Sequence, residues 1–166
     1  MPAFRHRLNR SQQVQYDRSN AVGSIPVRMT PRALRAVGLL QDSLVTVDRL
    51  RTERLAQAIC DELCAALGVP NLRVAVRDVR PSNQRGELHG LYVPGGQGRH
   101  DRIDVWMMTA KRGQVVAFKT FLRTLLHEVC HHLDYVWLNL SESFHTDGFF
   151  KRESSLFSQL VKPSRP

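Results

Sequence analysis

Apolar residues along this chain recur with two periods, and the change from one to the other marks out the elements. From about Thr52 to Leu67, Leu55, Ile59, Leu63 and Leu67 repeat every four residues with Ala56, Cys60 and Cys64 beside them. That is the stripe of an amphipathic helix, closed by Gly68-Val69-Pro70. Before it, Thr30-Pro31 reads as an N-cap and first-turn proline for a helix through Ala33, Leu34 and Val37 that ends near Gly38. The period then shortens to two. Leu72–Val79, Glu87–Val93 and Arg102–Met108 read as strands, separated by the turn-rich Pro81-Ser82-Asn83 and Pro94-Gly95-Gly96-Gln97-Gly98. Val74 and Val76 oppose Arg73 and Arg77, while Ile103, Val105 and Met107 oppose Asp104 and Trp106, which suits a sheet with one face packed on helices.

The helical period returns from about Gly113 to Leu138, where Val116, Phe118, Phe121, Leu122, Leu125, Leu126, Val129 and Leu133 predict a long, largely buried helix. A break around Asn139–Ser143 leads through Phe144-His145 to a last helix, from about Asp147 to Leu160, that ends before Lys162-Pro163. The pattern predicts an α+β domain with a short three- to four-stranded sheet packed on helices. Residues 1–30 are rich in Arg, Gln, Ser and Asn with little to bury, and read as a flexible basic arm ahead of a single domain over 31–166, its core at about 52–160.

Charge adds a preference for acidic company. The formal net charge is +9, and residues 1–54 hold ten Arg against four acids, so the excess lies toward the N-terminus. Nucleic acid is the commonest physical reason for such an excess, with Arg5, Arg7, Arg10 and Arg18 as candidate phosphate contacts. Cys60, Cys64 and Cys130 form no CxxC pair, so neither a disulfide framework nor a zinc ribbon is indicated and a reduced, cytoplasmic setting is expected. The first ten residues are not followed by an apolar stretch of signal-peptide length, and no run approaches the ~18 apolar residues of a membrane helix.

The chemistry is concentrated in Leu125–Tyr135, L-L-H-E-V-C-H-H-L-D-Y. Polar groups inside an apolar helix are costly to bury without a partner. His-Glu-x-x-His on a helix sets His127 and His131 about 40° apart around the axis, so both imidazoles can reach one ion, most naturally Zn2+. Glu128 lies about 100° from His127. That offset suits a general base that takes a proton from water and passes it to a leaving amine. A catalytic zinc wants three protein ligands and an open position. The third-ligand pattern of metzincins is excluded, because Trp137 and Asp134 stand where it needs His and Gly. His145, 14 positions after His131, is the expected third ligand, with Glu153 on the last helix as its rival. Asp134, seven positions after His127, is either an acceptor that orients a ligating imidazole or an acid on the helix surface. His132 points off the ligand face, Cys130 reads as packing, and Tyr92 or Tyr135 could stabilise a developing oxyanion.

The order helix, short strands, H-E-V-C-H helix, then S-F-H-T-D-G-F-F-K-R-E resembles the SprT-like minimal zinc metalloproteases, whose His-Glu-x-x-His is followed by His-Gly-x-x-Phe. Here that second block is His145-Thr146-Asp147-Gly148-Phe149, with Thr146 in place of the family's glycine. The resemblance covers roughly residues 52–160. It implies a small zincin-like, gluzincin-type fold in which the HExxH helix is followed by a C-terminal helix, one zinc on His127, His131 and His145, and Glu128 as base. It also implies peptide-bond hydrolysis, in some members on protein crosslinked to DNA. The expectation is therefore a zinc metallopeptidase acting on protein or peptide, with DNA as a further partner through the basic arm. The competing expectation is a non-catalytic, zinc-containing nucleic-acid-binding or regulatory module.

Overall fold

The structure, a computed structural model, describes residues 2–161, with side chains from Phe4 onward. Six helices and five strands follow in the order α1 (Pro2–Arg5), α2 (Arg10–Ala21), α3 (Pro31–Val45), α4 (Arg49–Leu67), β1 (Leu72–Val79), β2 (Ser82–Asn83), β3 (Gly86–Glu87), β4 (Gly90–Val93), β5 (Asp101–Met108), α5 (Phe118–Val136) and α6 (Asp147–Leu160). The class is mixed α+β. A three-stranded sheet has the order β1-β5-β4, with β1 parallel and β4 antiparallel to the central β5. Helix α4 packs on β1, and α5 packs on β4 and β5. Between them lies one core that includes Ile59, Leu63, Val76, Val105, Leu125, Leu126 and Leu156. No helix of the described residues is long and apolar enough to cross a membrane.

Most boundaries follow from local chemistry, and four expectations are corrected. Helix α3 starts as expected, with the Thr30 side chain accepting from Ala33 N, but runs through Gly38 to Val45. A glycine inside a helix costs about 1 kcal/mol. Leu40 and Leu44, at 0% and 2% exposure, extend the buried stripe and contribute about 1.5–3 kcal/mol each, so burial wins. The expected strand Glu87–Val93 is divided. Gly86–Glu87 pairs with Ser82–Asn83 in a separate ribbon, held by Leu88 N donating to Pro81 O and by the Arg80–Glu87 pair, and only Gly90–Val93 joins the main sheet. Strand β5 is buried on both sides rather than one, because it is central and because Arg77 and Arg102 both ion-pair Asp104 on the face away from the helices.

The fourth correction concerns the N-terminal segment, which is not a flexible arm. Helix α2 is capped by an Asn9–Gln12 capping box and packs on α6. Tyr16 and Ser19 are buried, and Ile25 in the following segment is fully so. Arg152 of α6, at 0% exposure, donates to the Ser19 and Val22 carbonyls and to Ser19 Oγ, so a buried guanidinium ties α6 to α2. Arg5 is spent on a bidentate pair with Asp17 at 2.6 and 2.7 Å, and Arg18 donates to Leu138 O. Arg7 and Arg10 are exposed. Helix α6 ends at Leu160 as expected, and Lys162-Pro163, expected to follow it, lies outside the described residues.

The two edges of the sheet are treated differently. Along β1 the outer backbone groups are taken by α4: Val74 N donates to Gln57 Oε1, Gln57 Nε2 to Leu72 O, Val76 N to Glu53 Oε2, and Arg49 to Val76 O. This closes one edge to further strand pairing. Strand β4 forms the other edge, and it is the one beside the histidines.

Candidate metal centre

Helix α5 presents the HExxH face to β4, α6 and the loop between α5 and α6. That loop turns at Asn139, whose φ of 55° is the left-handed conformation Asn tolerates, and Leu140 N bonds back to Asp134 O. It delivers His145 immediately before Thr146, whose side chain caps α6 by accepting from Phe149 N. The cap accounts for threonine at this position.

The structure brings His127, His131 and His145 together, with one ligand atom from each lying within 4.8 Å of the others. His145 Nε2 is 3.1 Å from His131 Nε2. Phe149, fully buried, packs against all three rings at centroid distances of 4.9, 4.8 and 5.1 Å. The far nitrogens are already engaged. His127 Nδ1 lies 2.8 Å from Glu153 Oε1, an acceptor, so His127 donates there and its Nε2 lone pair is free to face the centre. His131 Nδ1 lies 2.7 Å from Ser143 Oγ, and Ser143 in turn donates to Asp134 Oδ2 at 2.7 Å. With its own proton committed to Asp134, Ser143 accepts from His131, which again leaves Nε2 as the donor to an ion. The other Asp134 oxygen receives Arg152 NH2 at 2.9 Å.

Glu153 therefore holds the His127 imidazole, and Asp134 acts on His131 through Ser143 rather than directly. His131 and His145 are electrically suited to an ion. Burial, then His127 and His145, pushes His131 down to about 3. Burial and His127 likewise lower His145. Neutral imidazoles are what a metal requires. The donor set fits a zinc-type site with three nitrogens.

Glu128 is 7% exposed, and burial raises its pKa against the opposing pull of His127. A carboxylate raised in this way is a better proton acceptor near neutral pH. It sits close under β4: a Cβ on Gly90 would lie 3.0 Å from Glu128 Oε1 and 2.9 Å from Thr124 Cγ2. Only glycine lets the edge strand approach the acid this closely. On one side of Glu128 a cavity of about 460 Å3 runs past Leu91, Tyr135 and His145. On the other a cavity of about 270 Å3 is bounded by His89, Arg123 and Thr124.

Tyr92 differs from its sequence reading, whereas His132 lies off the ligand face and Cys130 packs in the core, as expected. His132 is fully buried, with Nε2 2.7 Å from Pro70 O and Nδ1 3.1 Å from Asp101 Oδ2. The Tyr92 hydroxyl donates to the same Asp101 at 2.7 Å, so it is not free for an oxyanion, while its ring stacks on Tyr135 and on His131. Buried Cys130 joins the core, where burial holds its thiol well above the usual range, and Cys60 and Cys64 do the same on α4. Sequence reasoning missed Ser143, Glu153 in its orienting role, and Gly90. Ser143 and Gly90 carry no periodic signal, because their roles arise from approaches between separate elements.

Comparison of the chain with protein-family models, with curated proteins and with solved structures gave no match.

Proposed function

We propose that this protein is a zinc-dependent metallopeptidase of zincin-like fold, and that the convergence of three histidines, two of them fixed in tautomer, beside a buried carboxylate carries the reading. His127, His131 and His145 would hold the ion, which when bound supplies Lewis acidity to a carbonyl and acidifies water. Glu128 accepts the proton from the attacking water and returns it to the leaving amine, and its raised pKa matches both halves of that task. Glu153 and the Ser143–Asp134 pair keep the His127 and His131 rings turned to the centre. An extended peptide would pair with the free edge of β4 across both cavities, its scissile carbonyl beside Glu128. The closed β1 edge supports this choice of strand.

Two observations favour catalysis over a structural site. Among the described residues the cluster contains three ligand residues, leaving a fourth position for substrate or water. The nearby candidates for a fourth do not converge on it: Cys130 is sealed in the core and Asp147 lies in the first turn of α6. The +9 charge and the exposed Arg7 and Arg10 support protein substrates that are acidic or bound to nucleic acid. The test is hydrolysis of a quenched fluorescent peptide library by the zinc-loaded protein. Chelator-sensitive cleavage by wild type and none by Glu128→Gln, at equal zinc content, is expected. Equal cleavage by both would remove Glu128 from the mechanism.

A further inference from the structure

We infer that the N-terminal helix pair is a working part of the metal centre, because α1 and α2 fix the loop that carries the third ligand. This rests on the reading of the three histidines as a metal site. His127 and His131 are set by the backbone of α5, and hydrogen bonds at Nδ1 orient their rings. His145 lies in the stretch between α5 and α6, with neither a helix nor a strand to fix it.

Instead, α2 grips that stretch at close intervals. Arg18 donates to Leu138 O at 2.9 Å, Ser141 N donates to Gln15 Oε1 at 3.0 Å, and Gln12 Nε2 reaches Glu142 Oε1 at 3.3 Å. The Phe144 ring packs against Phe4 and Tyr16 at 6.2 and 6.1 Å between centroids. Ser19 Oγ and Thr146 Oγ1 share a buried hydrogen bond of 2.9 Å, and Gly148 N donates to Asn20 Oδ1 at 3.0 Å. The two residues that flank His145, Phe144 and Thr146, are thus both held by α2. Contact is tight at Gly148, where a Cβ would come within 2.8 Å of Asn20 O and closer still to Ser19 O. The ordering cost of a free loop would otherwise fall on metal binding itself. By holding the loop, α2 presets His145 before an ion arrives, so Gln15 and Arg18 are positioning residues for a ligand they do not touch.

The test uses the full chain with the double substitution Gln15→Ala and Arg18→Ala, which removes two partly exposed hydrogen bonds and leaves the buried contacts of Tyr16 and Ser19 in place. Zinc affinity is measured by chelator competition, and the visible absorption of the Co2+ form reports the ligand set. Affinity is expected to fall about tenfold, as when groups that orient a ligand are lost, with a changed Co2+ spectrum. Arg18→Lys and Gln15→Glu, which keep a donor to Leu138 O and an acceptor for Ser141 N, retain wild-type values, as does Arg10→Ala on the exposed side of α2. Thermal unfolding of the metal-free double variant stays near wild type, which separates positioning from stability. Wild-type zinc affinity and an unchanged Co2+ spectrum in the double variant would overturn the inference. A folded wild type that takes up neither metal would instead overturn the underlying metal-site reading.

Discussion

Replacing Asp134 with alanine removes a carboxylate that serves two partners at once, and the two losses can be measured separately. Arg152 is 0% exposed, and its other contacts, to the Ser19 and Val22 carbonyls and Ser19 Oγ, are to neutral groups. Asp134, also 0% exposed, is its one ion-pair partner among the described residues. Truncating one member of such a pair leaves a buried charge uncompensated and costs about 3–5 kcal/mol. That is a large part of the ~5–15 kcal/mol available to a domain. With a urea m-value of about 1–3 kcal/mol/M, the unfolding midpoint of the metal-free protein should fall by at least ~1 M. The second loss is at the metal centre, because Ser143 no longer has a carboxylate to take its proton and can present that proton to His131 Nδ1. Zinc affinity should drop by about 10–100-fold. Equilibrium urea unfolding gives the first number and chelator competition the second. A midpoint shift worth less than about 1 kcal/mol would refute the assignment of Arg152 and Asp134 as a charged buried pair.

Ser143→Ala separates the two effects, since it leaves the Arg152–Asp134 pair intact; chelator competition should again show about tenfold weaker zinc binding, while urea unfolding should move by only about 1 kcal/mol. Gly90→Ala forces a methyl against Thr124 and Glu128 and should cost about 1–3 kcal/mol of stability, read by urea unfolding, together with a fall in kcat for peptide hydrolysis. The pH dependence of the metal-free protein follows from His131, whose pKa falls from 6.5 to about 3 on folding. Below 6.5 the unfolded chain binds the proton that the folded one refuses. His131 therefore contributes a loss of stability as pH falls from about 6.5 toward 3, and bound zinc should shift acid unfolding to lower pH. Midpoints of acid unfolding that do not respond to zinc would contradict this.

The fold was legible where a single helix or strand decided its own boundaries. The four-residue repeat over Leu55–Leu67 and the Thr30 cap placed α4 and α3, and the expected helix from Asp147 to Leu160 agrees with α6 at both ends. It was not legible where one element is stabilised by another. Helix α2 has a polar sequence with little amphipathic pattern, and what orders it is Arg152, more than a hundred residues away. The glycine at 38 looked like a stop because its outward-facing position, with nothing within 4 Å of a Cβ, cannot be told from sequence. The same division runs through the site. His127, Glu128 and His131 share one helix and a spacing that states their chemistry, whereas Ser143 reaches His131, and Gly90 reaches Glu128, only through tertiary approach. Arg5 and Arg18 looked like phosphate contacts because charge is visible in a sequence and its intramolecular partner is not.

Whether His127, His131 and His145 bind one ion is tested most directly by elemental analysis of the purified protein beside His145→Ala after dialysis against dilute zinc. One zinc per chain is expected in the wild type and a marked loss in the variant, with both proteins folded by circular dichroism. A folded wild type without stoichiometric metal would contradict this expectation, as would a variant that keeps its zinc while Glu153→Ala loses it.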